Sequence, residues 1–208
     1  MPKVVDHEAR RRELVRATWR IIARNGLSGA TMRQIAAEAG YANGALKPYF
    51  ATKADLIEAT YAYVFDRTND RVARAVLGLT GLAALEAFCR QVLPLDSVRL
   101  DEAHVVIPFW QEAAQDAGRA ELNNRSMAQW RASMSGWLVQ ARTAGDLAHR
   151  VDVPTSVEVL LTFLLGAQIT AALDPEIGSP DRLEQQLLAQ LELLRKHPDG
   201  SVPGAGTG

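Results

Sequence analysis

The 208-residue chain has one cysteine, Cys89. A single thiol excludes an intramolecular disulfide framework and suits a reducing compartment. Long apolar runs are missing too. The longest candidate, residues 159–173, contains Thr162, Gln168 and Thr170 and falls short of the roughly 18 residues a bilayer span needs, so no membrane segment is expected. Residues 1–6 hold no apolar signal core, which points to the cytoplasm. The four histidines, His7, His104, His149 and His197, are too scattered for a metal site. No phosphate loop, dinucleotide fingerprint or Gly-x-Ser-x-Gly motif occurs, so neither cofactor nor catalytic role is expected. The formal charge is only −1, which argues at first sight against a polyanion partner. What is present is ordinary: 48% hydrophobic and 23% charged residues, the composition of a folded domain. A chain of this length buries roughly 70% of its extended surface, ample for a core.

The small net charge hides a split. Residues 1–55 carry ten basic side chains (Lys3, Arg10, Arg11, Arg12, Arg16, Arg20, Arg24, Arg33, Lys47, Lys53) against five acidic ones, a local net of +5, which leaves −6 for the rest. A basic head on an acidic body suggests a polyanion-binding end; a solvated helix face is the plainer alternative.

The punctuation predicts an all-α chain of about nine helices. Asp6 can cap a first helix that stops at Asn25-Gly26. Thr31 to Gln34 reads as a capping box opening a second. Asn43 can cap a third, very short helix to about Tyr49, and Thr52 to Asp55 opens a long fourth to about Ala75. Five more are expected over 81–93, 100–117, 121–144, 154–173 and 180–197, delimited by Pro94, Gly118, Gly145, Pro154, Pro175 and Pro180. No sustained period-two run supports a strand. The Gly- and Pro-rich residues 199–208 are expected to form a disordered tail.

Residues 31–50 have the outline of a helix-turn-helix, with Gly40 at the turn. The second short helix would turn Leu46 and Phe50 inward and present Asn43, Ala45, Lys47 and Tyr49. A major groove accepts such a helix, although an ordinary helical hairpin has the same outline.

The text Arg-Glu-Leu-Val-Arg-Ala-Thr-Trp-Arg-Ile-Ile-Ala-Arg-Asn-Gly (12–26), Ala-Thr-Met-Arg-Gln-Ile-Ala-Ala-Glu-Ala-Gly (30–40) and Asn-Gly-Ala-Leu-Lys-Pro-Tyr-Phe-Ala-Thr-Lys-Ala-Asp-Leu-Ile (43–57) resembles the DNA-binding domain of the tetracycline-repressor (TetR) family. The resemblance implies a ligand-responsive regulator, usually a repressor, binding a near-palindromic DNA operator as a homodimer. It implies phosphate contacts from Thr31, Arg33 and Lys53, and a phosphate or base contact from Gln34. Asn43, Gly44 and Ala45 would meet bases, and Tyr49 the DNA backbone. Two residues depart from the pattern. Lys47 replaces a common aromatic and could add a phosphate or guanine contact, and Pro48 removes an N–H inside the recognition helix. The implied domains are a DNA-binding head over 1–54 and a ligand-binding, dimerising body over 55–198.

Ile-Pro-Phe-Trp-Gln-Glu-Ala (107–113) and Trp-Arg-Ala (130–132) resemble the choline/betaine-regulator-like branch, over about residues 85–195. Met127, Trp130, Met134 and Trp137 share a helical face and, with Phe109 and Trp110, could line a pocket or simply form core. Trp110, Trp130 and Glu112 would suit a cationic small-molecule effector. Two leucine-rich stripes, Val157/Leu160/Leu161/Leu164 and Leu183/Leu187/Leu191/Leu194, serve equally as monomer core or as a dimer interface; the resemblance favours the interface through the last two helices. The remaining alternative is an all-helical binding protein or enzyme without a DNA function.

Overall fold

The computed structural model describes residues 6–42 and 44–196, with backbone only for Ser28. Asn43 and the 199–208 tail lie outside the described residues. The described chain is all helical, with no strand beyond an isolated bridge between Leu147 and Arg195. Eight helices form: α1 His7–Gly29, α2 Met32–Glu38, α3 Lys53–Ala75, α4 Gly81–Val92, α5 Ser97–Ala113, α6 Ala117–Ala144, α7 Val153–Leu173 and α8 Pro180–Leu194.

Local chemistry sets their starts. The Asp6 carboxylate accepts the Ala9 N–H at 3.0 Å. Thr31 with Gln34, and Thr52 with Asp55, form reciprocal capping boxes at the heads of α2 and α3. The expected stop at Gly26 is a kink: this residue takes φ 67°, ψ −180°, open only to glycine, and a last helical turn follows it to Gly29.

The expected short helix to Tyr49 does not form among the described residues. Residues 44–49 are successive turns, bonded mostly three residues back: Lys47 N–H to Gly44 O at 3.3 Å and Tyr49 N–H to Leu46 O at 2.8 Å. Gly44 sits at φ +94°, outside the helical region, and Pro48 donates no N–H, so the i to i−4 ladder does not propagate.

The head core gathers Leu14, Ile22, Ile35, Leu46, Phe50 and Leu56. Leu46 and Phe50 are each 2% exposed, so the turn segment is pegged inward as its pattern predicts. The body core joins α4, α6, α7 and α8. The two clusters are distinct but share helices: α1 packs on α3 and α5, Val64 and Val105 of those helices belong to the head cluster, and Phe65, Val72 and Leu100 pack on the body cluster. The expected boundary at residue 54 therefore falls inside α3, which serves both halves.

Both leucine-rich stripes lie in the monomer core. Val157, Leu160, Leu161 and Leu164 are at most 2% exposed, and Leu183, Leu187 and Leu191 at most 1%. Apolar residues on the opposite faces are the ones left outside. Of ten exposed large apolar side chains among the described residues, six (Val159, Ile169, Leu173, Ile177, Leu188, Leu193) lie on or between α7 and α8. Helix α7, 21 residues with mean hydropathy 1.7, is also long and apolar enough to cross a bilayer, contrary to the run-length expectation, because averaging tolerates Glu158. It packs against α5 and α6 by one face and leaves Val159, Ile169 and Leu173 exposed on the other.

Cys89 is fully buried, and burial pushes its thiol up to about 12, with Glu86 adding to the rise. The native protein is therefore expected to resist iodoacetamide at pH 8 and to become alkylated only on unfolding; stoichiometric labelling of the folded protein within minutes, read by mass spectrometry, contradicts this.

Candidate functional site

In the head, exposed cations surround the helix-turn-helix outline. Arg12, Arg16, Arg33 and Lys47 are exposed and make no ion pair or hydrogen bond among the described residues. Other basic groups are committed. Arg20 and Arg24 lie 2.9 and 3.6 Å from Glu38, and the Arg20 hydrogen bond holds that carboxyl below its usual range. Arg11 donates to the Tyr49 carbonyl at 2.9 Å and stacks on Phe50 at 4.3 Å, which braces the turn segment from α1. Arg10 lies over Tyr41, whose hydroxyl donates to Glu13.

The expected DNA contacts divide accordingly. Arg33, Gly44 and Lys47 are exposed. Ala45 and Tyr49 are half-buried, and the Tyr49 ring lies 4.4 Å from His7. Thr31 and Gln34 are exposed, but their side-chain oxygens serve the capping box, which leaves the Gln34 amide NH2 for other partners. Lys53 is half-buried, and its ammonium donates to the Leu27 carbonyl at 2.9 Å, tying the start of α3 to the turn after Gly26. Asn43 lies outside the described residues.

The body holds a cavity of about 40 Å³, room for a few waters, between α3, α5, α6 and α7. Each helix contributes at helical spacing: Tyr61, Val64, Phe65 and Thr68 from α3; Arg99, Glu102, Val106 and Trp110 from α5; Met127 and Trp130 from α6; Leu165 and Gln168 from α7. Four aromatic rings thus share the lining with one buried carboxylate, Glu102, and with the Arg99 side chain. The Trp130 indole donates to Asn69 at 2.9 Å, and Gln168 donates to the Val92 carbonyl at 2.6 Å. Pro108 interrupts the α5 ladder between Val106 and Trp110.

Three of the six expected pocket residues, Trp110, Met127 and Trp130, line the cavity. The other three do not. Phe109 is fully buried and stacked on Tyr61, with centroids 3.8 Å apart. Met134 is fully buried, and Trp137 packs on Phe88 at 5.5 Å. Two helical turns beyond Met127, the shared face has passed from cavity into core. Glu112 also lies off the lining, and Glu102 stands where a cation partner was expected. The signal for it was present: Glu102, Val106 and Trp110 repeat every four residues, whereas Glu112 is out of phase.

Comparison with known proteins fits both halves. Residues 14–60 match the model for bacterial regulatory proteins of the tetR family, and residues 82–196 match the model for the C-terminal part of BetI-type transcriptional repressors. The HTH-type transcriptional regulator PksA of Bacillus subtilis is 28% identical over 93% of this chain and 94% of its own. The regulator BetI of Pectobacterium carotovorum is 39% identical over 80 residues, covering 38% of this chain and 41% of its own. Among solved structures, a transcriptional regulator from Rhodococcus superposes with TM-score 0.78 at 28% identity, over 88% of this chain and 95% of that one. A regulator from Saccharomonospora viridis, solved in complex with choline, superposes with TM-score 0.83 at 21% identity, over 91% and 99%. With its basic helix-turn-helix head and a BetI-type body spanning more than half its length, this chain belongs to the tetR family of bacterial transcriptional regulators.

Proposed function

We propose that this regulator is a cytoplasmic repressor that binds a near-palindromic operator as a homodimer and releases it when a small cationic effector enters the body cavity. The observation that carries the reading is the pairing of a head bearing four exposed cations, unpaired among the described residues, with a body cavity whose lining holds four aromatic rings and one carboxylate. Residues 1–54 act as the DNA-binding unit and residues 55–198 as sensor and dimer interface. No catalytic step is assigned.

On DNA, Arg33 and Lys47 neutralise phosphates, with Thr31, Gln34 and Tyr49 positioning the backbone. Asn43, Gly44 and Ala45 approach the base edges. Lys53 holds Leu27 in place and reaches phosphate with its remaining N–H donors. Two copies joined through the exposed apolar faces of α7 and α8 place their heads roughly 34–36 Å apart, one DNA turn. The effector is held by Tyr61, Phe65, Trp110 and Trp130, whose ring faces attract a cation, and by Met127. Because the cavity is small, side chains must move to admit it.

A mobility-shift titration with the DNA upstream of the protein's own gene tests the reading. Retardation reversed by millimolar choline or a related amine is expected; no retardation at low salt defeats it. In the same assay Lys47→Ala is expected to lower affinity for specific and random DNA alike by about 60-fold at 0.1 M salt, about eightfold for each of the two heads, and to reduce the slope of log K against log salt by about 1.8. A change confined to one sequence would make Lys47 a base contact instead.

A further inference from the structure

The cavity and the head share one ion-pair cluster. Glu102 is 5% exposed and is the one carboxylate among the described residues lining the cavity. Arg71, on α3, donates to both its oxygens, at 2.7 and 2.6 Å. Arg67, one turn earlier, brings its Nε to 3.7 Å from Oε1, the oxygen that also accepts from Arg71 Nη1, an ionic contact without a hydrogen bond. In the other direction the Arg67 guanidinium lies 5.1 Å from the centroid of Trp19, on α1, and 5.7 Å from that of Tyr63, whose hydroxyl accepts from it at 3.3 Å. Trp19 packs against the head core, and its buried indole N–H has no hydrogen-bond partner among the described residues. Packing and the Arg67 guanidinium therefore hold this ring. One side chain touches both the charged wall of the cavity and a ring of the head.

We propose that Glu102 is a positioning residue that couples cavity occupancy to the head through Arg67 and Trp19. A cationic ligand draws the Glu102 carboxylate towards itself. Its single charge already serves two guanidinium groups, so a third cation weakens one of those contacts. The contact that yields is Arg67: its approach is the longer one and carries no hydrogen bond, and its side chain is 38% exposed against 21% for Arg71, so water hydrates it readily on release. With Arg67 released, Trp19 loses its cation–π partner, and α1, which carries Arg12 and Arg16, is less firmly seated on α3 and α5. The proposal rests on the cavity being the effector site, and it adds the route by which occupancy reaches the DNA-reading end.

Hydrogen exchange on the full chain tests the coupling without DNA or ligand. Glu102→Gln keeps the shape but not the charge; Arg67→Met keeps the stem but not the guanidinium. Each is expected to speed exchange of the α1 amides over 14–24 by about tenfold, with α4 and α8 unchanged, and the double variant to be no faster than either single one. A protected α1 in Glu102→Gln beside a loosened α1 in Arg67→Met overturns the proposal, because Arg67 then holds Trp19 without help from Glu102. Should either variant speed exchange in every helix, Arg67→Lys decides: it retains the charge towards Glu102 and loses the planar stacking, and unchanged α1 exchange there counts against the relay. In a second arm, choline chloride lowers the DNA affinity of the wild type by about tenfold. Arg67→Met quenches its tryptophan fluorescence with choline as the wild type does, yet its DNA affinity shifts less than about twofold. A full response in Arg67→Met sinks the relay. If the wild type takes up no choline at millimolar concentration, the reading of the cavity fails on its own, and the exchange arm still decides the coupling.

Discussion

Replacing Phe109 by alanine is expected to lower the unfolding free energy by about 3–5 kcal/mol. The ring is fully buried and lies 3.8 Å from Tyr61 with its plane tilted by only 12°, closed in by Ile57 and Ala113. Removing it opens a void at the seam where α3 and α5 meet, and rigid helices on both sides limit collapse. Its sequence neighbour is the control. Trp110 is half-buried on the cavity wall, so Trp110→Ala should cost less stability and act on amine binding instead. Urea denaturation followed by circular dichroism, at fixed protein concentration, checks the pair. A cost below about 1 kcal/mol for Phe109→Ala would falsify its placement in the core.

The second large effect concerns assembly. Leu188 and Val159 are 43% and 48% exposed on α8 and α7, while the stripes behind them fill the monomer core. The double substitution Leu188→Asp, Val159→Asp leaves that core untouched, so helical content is expected to stay the same. Two carboxylates in an apolar contact face would have to be desolvated on pairing, which makes association unfavourable. Analytical ultracentrifugation at micromolar concentration should give a monomer. Affinity for a two-half-site operator should fall by about 10²–10⁴-fold, since the second head no longer binds at high effective concentration. A variant that remains dimeric places the interface elsewhere on the body.

What the sequence disclosed was whatever depends on near neighbours. The capping pairs Thr31/Gln34 and Thr52/Asp55 stand three residues apart and form as their spacing predicts. The inward pegs Leu46 and Phe50 were readable from their four-residue separation. Contacts made through tertiary structure were not. Lys53 reads as a free cation, yet α1 folds back and offers it the Leu27 carbonyl. Glu102 and Glu112 sit on one predicted helix; Trp110 alone does not fix which faces inward, and only the four-residue repeat with Val106 pointed to Glu102. The apolar stripes of α7 and α8 were ambiguous for a simpler reason: an intramolecular core and an intermolecular one ask for the same side chains. The recognition helix was misjudged because the outline of the motif outweighed Gly44 and Pro48, both visible and both opposed to a regular helix.

That turn segment has a practical consequence. It is fastened from behind, by Leu46 and Phe50 in the head core and by the Arg11 guanidinium on its carbonyl edge. Its outward positions contribute little to the fastening. Gly44 and Lys47 are exposed, and no regular helical ladder depends on their propensities. Reading preference and folding are therefore separable here: a library varied at Ala45 should retain its melting temperature across most members while its preferred operator drifts, and changes at Lys47 should scale affinity for all DNA alike. The head is a mount with an exchangeable face, suited to retargeting without rebuilding the protein beneath it.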